Sequence, residues 1–221
     1  MIWNLLLKLE KETVMKLDND KIDRCAIFVF YDKDGIVDKY IPIFLNAIKK
    51  VVSRLIIVCN GEVTNKGMKV FREITDEILT RPNEGYDITA YKYGLEYVSL
   101  DRLSDYDEVL LLNSTMFGPI YPFEEMFGKM NNEDVDFWGI TAYAGETVNG
   151  EKIPTHLQAY WHAYRRDMVS SQAFHEYWEN MPLWSDYAEV TRKHEMTFTE
   201  HFAKLGFKWD SYIDWRKYKG Y

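Results

Sequence analysis

Two short polar stretches carry the residue types that hold anionic and hydroxylated ligands. The first is Arg81-Pro82-Asn83-Glu84-Gly85-Tyr86-Asp87. A guanidinium such as Arg81 forks onto a diphosphate through parallel hydrogen bonds. Asn83 and Gly85 allow unusual backbone torsions and close approach of a ligand to the main chain. Asp87 either accepts from a ribose or sugar hydroxyl or caps the helix that follows. Tyr86 and Tyr91 either stack on a base or fill the core. The second stretch, Asn113-Ser114-Thr115, ends a run of leucines, and Gly118-Pro119 continues its loop. Taken alone, it reads as a strand-end turn whose side chains satisfy nearby backbone groups.

Other chemistries lack their signatures. There is no G-x-G-x-x-G and no G-x-x-x-x-G-K-[ST], which argues against dinucleotide dehydrogenases and P-loop enzymes. No G-x-S-x-G elbow points to an α/β-hydrolase, and no Cys/His cluster has zinc spacing. The net charge of −8, from 35 acidic and 27 basic residues, excludes nucleic-acid binding that rests on a generally basic surface. The 16 Tyr, 12 Phe and 7 Trp supply core area and also faces that stack on sugars and bases.

The elements that must position these stretches alternate strand and helix, the pattern of a mostly parallel sheet with helices on its faces. Strands are expected at Cys25–Tyr31, Arg54–Cys59, Glu77–Thr80, Glu108–Leu112 and Val135–Ile140, with another over His156–Tyr164. Helices are expected from about Asp38, around Met68, Phe71 and Ile74, from the Arg81–Asp87 loop to Tyr97, and over Ser171–Asn180 and Thr197–Leu205. Right-handed crossovers then bring Asp32–Gly35, Asn60-Gly61, Arg81–Asp87 and Asn113–Pro119 to the C-terminal edge of the sheet, where α/β proteins hold ligands.

With 221 residues, the chain fits one large domain. Cys25 and Cys59 lie in apolar runs and read as small core residues of a reducing compartment. No apolar run reaches the length of a membrane span, and the N-terminus lacks the parts of a signal peptide, so a cytoplasmic protein is expected. The segment Trp3–Leu17 reads as an amphipathic helix, either packed on the domain or touching a membrane surface.

Five segments together resemble the rhamnan synthesis protein F family of glycosyltransferases. They are RPNEGYDITAYKYGL (81–95), YDEVLLLNSTMFGPIYPFEEMF (106–127), DVDFWGIT (134–141), HLQAYWHAYRRDMVSSQAFHEYWENMP (156–182) and HEMTFTEHFAKLGF (194–207). More distantly, the chain is similar to inverting glycosyltransferases of the GT-A type. Where those carry an acidic pair and Gly after the second strand, this chain has Cys59-Asn60-Gly61. Their Asn-x-Gly loop corresponds to Asn83-Glu84-Gly85, followed by Ala90 and Gly94. Their metal-binding Asp-x-Asp corresponds to Asn113-Ser114-Thr115, which offers neutral oxygens only.

The resemblance implies an α/β, GT-A-like, Rossmann-type fold spanning residues 21–208, flanked by an appendage at 1–20 and an aromatic, basic tail at 209–221. A nucleotide-diphosphate sugar donor would meet Tyr31, Asp32, Asn60, Arg81, Asn83, Gly85, Tyr86, Asp87, Lys92, Asn113, Ser114 and Thr115. Mg2+ or Mn2+ would bind weakly or not at all, with Arg81, Lys92 or Arg165 neutralising the leaving diphosphate. Glu195 would be the general base, with Asp136 as runner-up; read locally, Glu195 is instead an acid favoured at a helix N-terminus. Strand alternation would point His156, Gln158 and Tyr160 together toward a saccharide or lipid-linked saccharide acceptor. The implied reaction moves L-rhamnose from dTDP-rhamnose onto a growing cell-surface polysaccharide at the inner face of the cell membrane. The missing Asp-x-Asp keeps a second reading open, a catalytically inactive nucleotide-sugar or glycan-binding module.

Overall fold

The computed structural model describes residues 22–148 and 150–218. The expected appendage and the Trp3–Leu17 helix lie outside the described residues. The chain runs through β1 (Arg24–Phe30), α1 (Tyr40–Ile48), β2 (Arg54–Asn60), α2 (Asn65–Arg72), β3 (Ile78–Arg81), α3 (Tyr86–Val98), β4 (Glu108–Asn113) and α4 (Phe123–Met130). It continues through β5 (Phe137–Gly139), β6 (Ala142–Tyr143), β7 (Glu146–Val148), β8 (Glu151–Ile153), β9 (His156–Leu157) and β10 (Trp161–Arg165). Four helices follow, α5 (Arg166–Val169), α6 (Gln172–Glu179), α7 (Tyr187–Val190) and α8 (Met196–Lys204), and then β11 (Trp209–Ser211).

Seven strands form one sheet in the order β11-β5-β10-β4-β1-β2-β3. β1, β2, β3 and β4 are mutually parallel, as are β5 and β11. β10 alone runs antiparallel, wedged between β4 and β5. The central strands read as continuous apolar runs because both sheet faces are covered. Cys25, Ile27 and Val29 face the layer of α3, α6 and α8, whereas Ala26, Phe28 and Phe30 face α1, α2 and α4. Gly94 lets α3 lie close on the sheet, since a Cβ there would stand 2.4 Å from Ile27 Cγ2. Both cysteines are buried and unpaired.

At the N-terminal edge, a buried polar network stitches β1 to β4 and β5. Arg24 Nε donates to Glu108 Oε2 at 2.8 Å and Trp138 Nε1 donates to Glu108 Oε1 at 2.7 Å. Arg24 also donates to Asn131 Oδ1 at 2.7 Å, with its guanidinium 4.3 Å from the centre of the Phe127 ring. A charge pair this deep must satisfy its own hydrogen bonds to offset lost solvation.

The structure departs from the sequence reading in three places. The single strand expected over His156–Tyr164 is two, β9 and β10, broken by a turn in which Trp161 N donates to Gln158 O. The boundary expected at residue 208 falls one residue before β11, which is an edge strand of the main sheet. Helix α4 was not foreseen, although Phe123, Met126, Phe127 and Met130 bury one face at helical spacing.

Two histidines are buried in the aromatic layer beneath α8. His194 Nδ1 meets Tyr177 Oη at 2.6 Å and His162 Nδ1 meets Tyr164 Oη at 2.7 Å. Burial pulls His162 down to about 4 and His194 well below its ordinary value. Unfolding therefore takes up protons below the ordinary histidine value of about 6.5. The stability these neutral rings support is present above that pH and is lost as pH falls toward 4. Each histidine should remove about 1.4 kcal/mol per pH unit across that window. Denaturant titrations at several pH values check this: His162→Gln should flatten the acid limb, and an unchanged slope would refute it.

Candidate functional site

Parallel register sets the C-terminal ends of β1 to β4 level. Val29 pairs with Asn113, Phe30 with Cys59, and Asn60 with Arg81. The polar side chains after these strands therefore meet along one edge. Arg81 Nη1 donates to Asn60 Oδ1, Asn60 Nδ2 donates to Asn83 Oδ1 at 2.8 Å, and Arg81 Nη2 donates to Glu84 O at 2.8 Å. The loop turns into α3 through two left-handed residues, Gly85 at φ 70° and Tyr86 at φ 58°. A Cβ at Gly85 would lie 2.1 Å from Thr89 Oγ1, so this position admits no side chain without rearrangement.

Asn113 joins this loop to the middle of the sheet. Its Nδ2 donates to Asp87 Oδ2 at 2.8 Å, while its Oδ1 accepts from Thr115 N at 3.1 Å and Thr115 Oγ1 at 2.6 Å. Burial raises the Asp87 carboxyl above its usual range, and the bond from Asn113 opposes that rise. Ser114 Oγ lies 3.4 Å from Tyr31 N, and Tyr40 Oη donates to Ser114 O at 2.8 Å. Asp32 Oδ1 accepts from Asp34 N and Ile36 N, closing its own turn.

Glu195 reaches the same edge from the other side. It ends the π-helical turn Thr191–Glu195 and leads into α8. Its Oε1 accepts from Ala159 N at 3.3 Å, and Ala159 O accepts from Tyr91 Oη at 3.1 Å. The Tyr91 phenol is pushed well up, first by burial and then by the nearby charges of Asp87, Tyr164 and Glu195. Asp87, Tyr91, Asn113 and Glu195 thus form one polar cluster at the ends of β4 and β10.

Three expected residues lie elsewhere. Asp136 precedes β5, and its main chain bonds Lys208 and Arg165. Arg165 is paired with Glu108 at the start of β4, and its guanidinium donates to Glu133 O and Met130 O. Both therefore sit at the opposite edge, Arg165 because β10 runs antiparallel and Asp136 because it precedes β5, which runs parallel to β4. Lys92 Nζ donates to Glu179 O at 2.8 Å and Met181 O at 3.3 Å, tying α3 to the end of α6. The acceptor trio also divides. His156 is buried, stacks on Tyr143 and bonds Pro154 O. Gln158 and Tyr160 instead converge on the Thr141 hydroxyl. Their meeting depends on the turn at 158–160, which leaves no periodic signal in the sequence.

The residues at the end of β4 do not suit a hard divalent cation. Asn113 Oδ1 is already taken by Thr115, and one carboxylate, Asp87, faces its amide. Among the described residues, no group of three His, Cys, Asp or Glu could hold an ion.

The chain is 25% identical to the uncharacterized protein y4gN of Sinorhizobium fredii (strain NBRC 101917 / NGR234), covering 82% of this chain and 46% of that protein. It is also 25% identical to virulence protein VirA of Vibrio anguillarum (strain ATCC 68554 / 775), covering 60% of this chain and 41% of that one. The chain thus spans less than half the length of these curated relatives. A solved 4-diphosphocytidyl-2C-methyl-D-erythritol synthase superposes with a TM-score of 0.51 at 12% identity, over 86% of this chain and 90% of that one, which establishes the shared α/β fold. The family model of rhamnan synthesis protein F matches residues 55–221. The match takes in β2 to β4 with the loops that end them, the 158–160 turn and Glu195, and the chain belongs to the rhamnan synthesis protein F family.

Proposed function

We propose that this domain is an inverting glycosyltransferase that moves L-rhamnose from dTDP-rhamnose onto a growing cell-surface polysaccharide, working at the inner face of the cell membrane. The observation that carries this reading is the cluster at the ends of β4 and β10. Along the same edge a half-buried carboxylate, Glu195, stands beside β10, and a guanidinium, Arg81, stands at the end of β3. Inversion needs a base and a charge acceptor on opposite faces of the sugar.

In the proposed reaction Glu195 takes the proton of the acceptor hydroxyl. The freed oxygen attacks the anomeric carbon, and the bond from that carbon to the diphosphate oxygen breaks. Arg81 and the main-chain N–H groups at the start of α3 receive the charge that develops on the diphosphate. Asp87, already bonded to Asn113, orients a hydroxyl of the donor. No step is assigned to a metal. A second reading, a nucleotide-sugar-binding module without turnover, draws on the neutral Asn113-Ser114-Thr115 at the end of β4.

Glu195→Gln should lower kcat by about 10²- to 10⁴-fold while leaving the donor Kd nearly unchanged. Wild-type kcat in that variant would remove Glu195 from the role. A turnover screen across nucleotide sugars should single out dTDP-L-rhamnose and persist in the presence of a chelator. Donor binding without turnover, under every condition tried, would favour the binding module. Loss of activity to the chelator with recovery in manganese would overturn the metal-independent mechanism.

A further inference from the structure

Beside the polar cluster, on the half of the edge away from Arg81, lies a cavity of about 420 Å3. It is walled by the loop 116–122, by Phe123 and Met126 of α4, and by Ile140 and Tyr212 beyond the ends of β5 and β11. Among the described residues, no charged side chain lines it. On the side that adjoins the polar cluster, Thr115 bonds Asn113 and the Tyr160 hydroxyl bonds Thr141. Phe117, Ile120 and Tyr121 stand 82%, 89% and 72% exposed. Surface exposure of three large apolar side chains on one loop marks a binding face.

The lining decides between ligand classes. A saccharide needs many hydrogen-bond partners, and this wall supplies few. A cavity of this size with a mainly apolar wall, adjoining a polar cluster, suits an amphipathic molecule. We propose that the cavity beneath loop 116–122 seats the hydrocarbon chain of a single acceptor molecule, its saccharide head lying at Thr115 and Tyr160 beside Glu195. This rests on the transferase reading and chooses between the free and lipid-linked acceptors that reading allows. The Tyr40 ring packs on Phe117 at 4.8 Å between centroids, and its hydroxyl donates to Ser114 O.

Calorimetry with methyl and n-octyl β-D-glucopyranoside, below the micelle concentration of the latter, tests the proposal without requiring turnover. Each buried methylene is worth about fourfold in affinity. The octyl glycoside should therefore bind at least about tenfold more tightly than the methyl one. Ile120→Asp and Phe117→Asp, both at exposed positions, should each cut that preference several-fold while dTDP binding stays unchanged. Equal affinity for the two glycosides, or an octyl preference untouched by both variants, would overturn the proposal. So would flotation with phosphatidylglycerol vesicles that both variants abolish while the two glycosides bind alike, since the loop would then be a membrane contact. Absence of donor turnover alongside a confirmed octyl preference would count against the transferase reading and leave the chain-binding cavity standing.

Discussion

Burial of β1, β2 and β4 on both faces is the constraint from which the rest of the molecule follows. Every main-chain N–H and C=O in those strands must find its partner in the ladder, because no water reaches them. Polar side chains are consequently driven to the strand ends. At one end they become the Arg24–Glu108–Trp138 network, which is closed and fully engaged. At the other they become two groups, Asn60 with Arg81 and Asn83, and Asn113 with Asp87 and Thr115, in which both asparagines are buried and Arg81 is half-buried. The same physical rule thus yields a structural clamp at one edge and a row of polar side chains at the other.

Asn113 and Asp87 place a carboxylate beside the end of β4 without an acidic motif on that strand. The negative charge sits in the first turn of α3, where the helix dipole favours it. Burial works against that charge, and the Asn113 amide offsets part of the cost. The carboxylate is therefore fixed in direction by a strand and in electrostatics by a helix. Gly85 and Tyr86, both left-handed, make the tight approach of that helix to the strand feasible.

Much of this was legible in the amino-acid sequence. The apolar runs at Cys25–Tyr31, Arg54–Cys59 and Glu108–Leu112 announce buried parallel strands, and the turn formers behind them announce the edge. What the sequence does not carry is direction. Nothing in Trp161–Arg165 says that this strand runs against its neighbours, yet that reversal sends Arg165 to the far edge and brings Tyr160 to the near one. Nor does periodicity reveal the 158–160 turn, where the main chain of Ala159 links Tyr91 to Glu195. The Arg24–Glu108 pair has no local signature, because each residue, seen in sequence, is a charged strand end.

The antiparallel strand β10 has a further consequence, for the order in which the sheet is assembled. β1 to β4 are complete once residue 113 has been made, and they already form a contiguous four-stranded half. β5 comes next in the chain but pairs only with β10 and β11, both of which follow it. It must wait, unpaired, through the two small hairpins until β10 docks on β4 and offers it an edge. The late strand is the keystone of the second half. Because it enters by way of the 158–160 turn, the step that joins β5 to the first half is also the one that brings Tyr160 and Ala159 to the C-terminal edge.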